Sequence, residues 1–329
     1  MQISDPQARA LGLVTGYLAD QVLADPARFH PVAGFGWVAQ RLERILYADS
    51  KLAGFAYSTI LAGSAAAGGM IAERLTDGRP LLKYSATAIV TWAVLGGRSL
   101  HAEAVIIQDM MNEGDLAAAR QQLTHLVGRN TEALDVEGIS RAVIESVAEN
   151  TSDAVVAPLF AAAVGGMSGL ISYRACNTLD AMVGHKSVRY RNFGWYSARL
   201  DDGMNLVPAR ASALLAAAWA PSAGGRSRDA IRIWRRDAAL HPSPNAGPVE
   251  AAFAGALSIR LGGVNTYGDA VENRHVLGDG EAASPQAITR SLRLAALVSG
   301  TAMALSALSA IAAPKLRRAR HHARQVHSA

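Results

Sequence analysis

The stretch IESVAENTSDAVVAPLFAAAVGGMSGLISY, residues 144–173, decides how this chain is read. It sets three acids, Glu145, Glu149 and Asp153, directly against a run without one charge, Ala154 to Tyr173. Twenty residues at about 1.5 Å each make a helix of about 30 Å, the thickness of a bilayer's hydrocarbon core. Leu52–Ala72 and Leu294–Ala313 are uncharged over similar lengths. Leu81–Gly97 and Ala211–Gly225 are weaker, the first holding Lys83 and the second being short, with Pro221 near its end. An alanine-rich soluble protein with buried helices is the competing reading. Half of the 329 residues are hydrophobic and 18% are charged, and mean hydropathy is +0.13. The segments predict an all-α fold: a polytopic integral membrane helical bundle, with interfacial or re-entrant helices and polar loops forming the site. No internal repeat or low-complexity linker divides it, so residues 1–329 are expected to form a single membrane-embedded domain.

The polar regions impose a topological condition. If all five apolar segments cross, regions 98–153, 174–205 and 226–293 cannot all face one side. Ala154–Tyr173 is the best candidate for a re-entrant segment, because Pro158 and Gly165-Gly166 break a regular span. Ala211–Gly225 is the second. The lone cysteine, Cys176, excludes an intrachain disulfide. The start, MQISDPQ, lacks a basic n-region, so a cleavable signal peptide is not expected. The end, PKLRRARHHARQVHSA, carries five Lys or Arg and no acid. Beside an apolar segment it reads as a cytoplasmic anchor against anionic lipid, disordered over 314–329. Nothing else points to nucleic acid.

Three polar groups carry the chemistry. Glu145, Glu149 and Asp153 recur every four residues on one helix face, while Ile139, Val143 and Val147 make an apolar stripe on another. Neighbouring carboxylates about 6 Å apart repel by roughly 3 kcal/mol at an effective dielectric near 20, and by a few tenths on a wet surface. Near a bilayer they need Arg, Lys or a divalent cation, and Asn150, Thr151 and Ser152 add oxygen ligands that suit Mg²⁺. The second group, Tyr173 to Asn205, interleaves Arg174, Asn177, Asp180, His185, Lys186, Arg189, Arg191, Arg199, Asp201 and Asp202. Arginine forks onto phosphate or carboxylate, and lysine supplies a mobile point charge. Asp201 and Asp202 are suited to a metal or to positioning an arginine. A basic loop anchored to lipid headgroups is the plainer reading of the arginines. The third group is HPSPNAG, a turn stiffened by Pro242 and Pro244 that presents His241, Ser243 and Asn245. A helix with Glu250 near its start follows. Beyond it NTYGDAVENRHVLGDG reads as a polar loop with Asp279 between glycines. There is no GxxxxGK[ST] loop, no GxGxxG after a strand and no GxSxG elbow.

Taken in order, VGRNTEALD, IESVAENTSDAVVAPLF, YRACNTLDAMVGH, RYRNFGWYSARLDDGMN, HPSPNAG and EAAFAGALSIRLGG resemble the adenosylcobinamide-phosphate synthase family, CbiB or CobD, of cobalamin biosynthesis. The likeness runs from DPARFHPV near Asp25 to LGDG near Gly280. Asn130 stands where the family more usually has Asp, and Ala154 where it usually has Gly. The resemblance implies a multi-pass protein of the cell (inner) membrane with its site on the cytoplasmic side. It implies an ATP- and Mg²⁺-dependent ligase joining (R)-1-amino-2-propanol, or its O-phosphate, to a propionate of adenosylcobyric acid, among other corrinoid-pathway enzymes. Phosphorylating the propionate supplies a leaving group for the amine. On that chemistry Glu145, Glu149, Asp153, Asp201 and Asp202 are the expected metal ligands. Arg174, Asn177, Lys186, Arg189, Arg191, Arg199, Ser243, Asn245 and Asp279 are expected at substrate or phosphate. His185, His241 and Asp180 are the catalytic candidates, since a histidine pKa near 6.5 suits an amine base. A membrane transporter or binding protein for an anionic or corrinoid solute is the alternative class.

Overall fold

A computed structural model describes residues 3–25, 30–185, 187–267 and 270–327. The described residues are helical apart from one two-stranded antiparallel sheet and the connecting turns. The chain divides into two compact units. The first comprises Met1–Leu95, Pro158–Gly203 and Ala302–Ala329; the second comprises Gly96–Ala157 and Met204–Thr301.

The first unit holds α1 (Asp5–Leu23), α2 (Pro31–Leu46), α3 (Lys51–Thr76) and α4 (Pro80–Val94). It also holds most of α8 (Ala157–Leu179), the start of α9 (Trp195–Trp219) and the end of α12 (Pro285–His327). Helices α1 and α4 touch backbone to backbone. A Cβ at Gly12 would lie 2.8 Å from the Tyr84 carbonyl oxygen, and one at Gly16 would lie 2.5 Å from that of Ala88. Two glycines four apart clear one helix face for this approach, as small residues do between membrane helices. The unit's exterior is apolar: Leu52, Phe55, Ile60, Met70, Ile71 and Leu75 are exposed along α3, and Leu305 and Leu308 along α12. Such a surface belongs against lipid. Among the described residues, three helical stretches are long and apolar enough to cross a membrane: Lys51–Thr76, Val136–Gly184 and Pro285–Ala312. The fold is thus a helical membrane protein, as the sequence predicts.

The second of these stretches is not one rod. Gly166 has φ 62° and ψ −141°, a conformation open to glycine and strained for other residues. A Cβ at Gly169 would lie 2.0 Å from the Ala161 carbonyl oxygen. Eight residues along a straight helix separate two positions by about 12 Å, so the chain doubles back at Gly166. The break falls at the glycine pair that the sequence marks. The returning leg begins at Met167, whose N–H donates to Glu73 Oε1 at 2.8 Å. Glu73 therefore caps the leg's positive end. Arg9 and Lys83 balance it, the latter almost wholly buried and also paired with Asp77. Further along, Leu179 and Val183 pack on Tyr57, Leu61 and Phe193.

The second unit holds α5 (Gly97–Asn112), α6 (Leu116–Leu123), α7 (Val136–Thr151), α10 (Ser227–Asp237) and α11 (Ala246–Leu257). Every residue of α11 is buried. Strands β1 (Leu261–Tyr267) and β2 (Ala270–Leu277) follow, pairing Leu261 with Leu277 and Val264 with Asn273. This hairpin replaces the polar loop expected there. Val264, Thr266, Tyr267, Val271 and Val276 are strand formers, but Gly262-Gly263 and the surrounding polar residues obscure them. Between Leu261 and Gly263 the register slips, and both glycines have positive φ. A π-helical segment, Ser152–Val156, continues α7, and another, Asp180–Gly184, continues α8. The backbone of α12 is helical to His327, through most of the basic tail for which the sequence predicts disorder.

Candidate functional site

A buried polar cluster lies in the second unit. It is assembled from the loop before α7, α7 itself, the turn before α11, α11 and the β-hairpin. Helix α7 starts under an Asp135 cap, whose carboxylate accepts from the Gly138 N–H at 2.8 Å. Its apolar face buries Ile139, Val143 and Val147 and carries Glu145 inward with them. The Glu145 carboxylate is engaged at both oxygens. Oε2 accepts from Arg129 Nη2 at 2.6 Å, and Oε1 from the Gly262 N–H at 2.8 Å. Arg129 also donates to Asn265 Oδ1 on β1. Arg141 reaches the same strand through the Val264 carbonyl at 3.0 Å. Glu145 thus fastens the slipped register of the hairpin to α7.

His241 and Glu250 form the second part. Ser243 caps α11, its Oγ accepting from the Ala246 N–H at 3.1 Å. The same turn holds the His241 ring. Nδ1 lies 3.1 Å from the Ser243 nitrogen and 3.3 Å from its carbonyl oxygen, so either tautomer finds a partner. Nε2 has no hydrogen-bond partner and lies 3.7 Å from Glu250 Oε2. Both side chains are almost fully buried. Only glycine fits at position 247, where a Cβ would lie 2.8 Å from that of His241. Burial pushes the Glu250 carboxyl well above the usual range. The charges of Glu145 and Glu149 add to this, and Arg274 and Arg129 oppose it. Burial also lowers His241 below its ordinary value; the Ser243 hydrogen bond works against this and the Arg274 charge with it. Burial thus favours the uncharged form of both members of the pair.

The remaining expected residues are placed as follows. In the second unit Glu149 is exposed, and Asp153 is half-buried on the π-helical segment. Asn245 Oδ1 accepts from Arg210 at 3.3 Å. Asp279 is paired with Arg232 at 2.8 Å and Arg236 at 2.7 Å, which together hold its carboxyl down at about 2. In the first unit Arg189 pairs with Glu43 at 2.9 Å and stacks 3.9 Å from the Tyr47 ring. Arg199 stacks over Trp195, as does Lys51. His185 is exposed, edge-on to Tyr190. Arg191 is exposed, and Asp180 sits on the second π-helical segment. Asn177 donates to the buried Asp201 at 3.5 Å, and Asp202 lies 3.9 Å from Arg199. Arg174 lines an apolar cavity. Lys186 lies outside the described residues.

Among the described residues, no three His, Cys, Asp or Glu are grouped closely enough to hold a metal ion. Glu145, moreover, is committed to Arg129 and Gly262. This arrangement fits Mg²⁺ only as a cation carried in by phosphates, which needs one or two protein carboxylates. Arg129, Glu250, Asn265 and Arg274 belong to this cluster and were not among the residues expected from sequence. For Glu250 a signal was present: it is the only charge between Asn245 and Leu257.

A helical unit with an apolar exterior, and a second unit with a buried Glu250–His241 pair among arginines, describe a helical membrane protein. The chain belongs to the CobD/CbiB family of cobalamin biosynthesis: a family model described as CobD/Cbib protein matches residues 13–295. It is 47% identical over 302 residues to the cobalamin biosynthesis protein CobD of Mycobacterium tuberculosis, covering 92% of this chain and 96% of that one. It is 40% identical over 272 residues to the protein of the same name from Geobacter metallireducens, covering 81% and 86%. The Clostridium perfringens protein of that name is 37% identical over 273 residues, covering 81% and 87%. No solved structure matches the chain significantly.

Proposed function

We propose that the chain is an ATP-dependent ligase forming the amide between a propionate of adenosylcobyric acid and (R)-1-amino-2-propanol or its O-phosphate. One observation carries this reading: the buried His241–Glu250 pair, set among Arg129, Arg274 and Glu145 in a chain of the cobalamin-biosynthesis family. A carboxylate must be activated before an amine displaces oxygen from it, and the amine must shed a proton to attack. The arginines bind and orient the anionic groups. His241, kept neutral by burial, takes the proton at its unpartnered Nε2, on the edge that faces Glu250, while the Ser243 backbone holds the ring at Nδ1. Glu149, exposed and near enough to Glu250 to act on it electrostatically, is the carboxylate assigned to a phosphate-borne Mg²⁺. That cation, when bound, offsets phosphate charge. The assignment of the site to the cytoplasmic face belongs to the same proposal.

The test uses the full chain purified in detergent with adenosylcobyric acid, each amine in turn, ATP and Mg²⁺. The expected result is an amide product by mass spectrometry, formed with ATP consumption and without vesicles. The helical break at Gly166 also suits a transporter. Absence of product, with ATP-independent corrinoid uptake by reconstituted vesicles, would favour that class and overturn the ligase.

A further inference from the structure

We propose that the first unit holds a specific aminophospholipid, one acyl chain inside the protein and the headgroup bridging Arg174 and Asp25. The inference is independent of the ligase reading. A cavity of about 250 Å³ lies among α2, α3, α4 and the returning leg of α8, walled by residues such as Phe35, Ala65, Val90, Val94 and Ile171. Drug-sized ligands occupy roughly 300–1,000 Å³, so this slot suits a single hydrocarbon chain and excludes a macrocycle. Val32, Arg174 and Thr178 also line a second cavity, of about 510 Å³, which is more open and more polar than the first and includes Asp25, His30, Trp37 and Gln40. An apolar slot and a polar mouth thus share one wall, the geometry of an amphiphile's site.

The mouth's charges choose the headgroup. The Nε of Arg174 is buried without a hydrogen-bond partner, in a helical stretch apolar enough to cross a membrane. An ionisable residue in such a stretch calls for a named partner. A guanidinium binds phosphate through its planar fork. Asp25 lies near enough to act electrostatically on Arg174, and its Oδ1 is 3.4 Å from His30 Nε2. A carboxylate beside the phosphate subsite disfavours a purely anionic head and accepts from a primary ammonium. Phosphate and ammonium two carbons apart, on a lipid, is an ethanolamine phospholipid. A choline head carries the same charges but no N–H.

Lipid-stripped full-length protein in detergent is titrated with ethanolamine, choline and glycerol phospholipids of matched chains, and with soluble O-phosphoethanolamine. Thermal midpoint and bound lipid by native mass spectrometry are both read. The ethanolamine lipid is expected to stabilise at the lowest concentration. Arg174→Gln is expected to raise that concentration about ten- to a hundredfold, the worth of a charge-assisted hydrogen bond. Asp25→Asn is expected to erase the preference for ethanolamine over choline, and Ala65→Phe to block the slot while a lipid-free midpoint reports that the variant folds. Equal effects of the three lipids, or an equal effect of soluble O-phosphoethanolamine, would overturn the proposal. So would unaltered lipid binding by Arg174→Gln.

Discussion

Glu145→Ala isolates what holds the second unit's centre together. The carboxylate and its partner Arg129 are 8% and 5% exposed, so solvent does not stand in for either when the other is removed. Stranding a buried guanidinium costs about 3–5 kcal/mol. The Gly262 N–H, which donates to the same carboxylate, loses its acceptor for about another 1–3 kcal/mol. The expected loss is therefore at least about 4 kcal/mol, or a fall in Tm of roughly 8 °C or more at about two to four degrees per kcal/mol. Two further variants separate charge from packing. Glu145→Gln keeps an acceptor for Gly262 and a hydrogen-bonding group for Arg129, so it should lose less than Glu145→Ala. Arg129→Met combined with Glu145→Leu removes both charges and should recover about half of the loss or more, because a stranded charge costs more than a missing pair. Thermal unfolding in detergent, followed by circular dichroism, reads all three. A Glu145→Ala loss under about 1 kcal/mol, or a double variant no more stable than Glu145→Ala, would show that the pair does not fasten the hairpin to α7.

At the helical reversal, Gly166→Ala should sharply lower Tm and yield, because its Cβ would lie 2.0 Å from Glu73 Oε1 at positive φ, whereas Gly165→Ala, with nothing within 4 Å, should be neutral or slightly stabilising by Tm. The raised Glu250 carboxyl contributes stability in full below its unfolded pKa, near 4.5, and loses it as pH rises; Glu250→Gln should therefore exceed the parent at pH 7 and converge on it near pH 4 in a Tm-versus-pH series. His241, lowered below 6.5, acts oppositely, so parent stability should also decline as pH falls through that value, and His241→Ala should remove this decline. If the ligase reading holds, His241→Ala should cut kcat about 10²- to 10⁴-fold with KM little changed, measured by product formation at saturating amine. Asp279→Asn should remove a stabilisation that the parent loses only as pH falls from about 4 toward about 2, visible as altered acid unfolding.

The parts legible in the sequence are those governed by local composition. Uncharged runs of membrane length located Lys51–Thr76 and the core of α12, and Gly165-Gly166 located the break in α8, because length, charge and backbone freedom are written residue by residue. The GLVTG of α1 carried its message just as locally, yet its two glycines mattered only once α4 lay across them. The site was harder for a different reason. Glu145, Glu149 and Asp153 share a helical face in sequence, but burial divides them: Glu145 is spent on Arg129 and a strand amide, Glu149 is exposed, and Asp153 is on a π-helical segment that shifts the helical phase. Two arginines of the second polar group, Arg189 and Arg199, stack on Tyr or Trp and pair with acids, contacts that spacing along the chain does not display. Glu250 makes the contrast sharpest. Spacing alone offers it as an ordinary helical acid. It becomes unusual only when α11 is buried on every side, and desolvation then raises its carboxyl pKa opposite His241. A lone charge in an otherwise apolar helix is the trace that such a burial leaves in sequence. Arg129, Asn265 and Arg274 leave no such trace, since each stands among other polar residues and is brought to the centre only by the pairing of β1 with β2 and of Arg129 with Glu145.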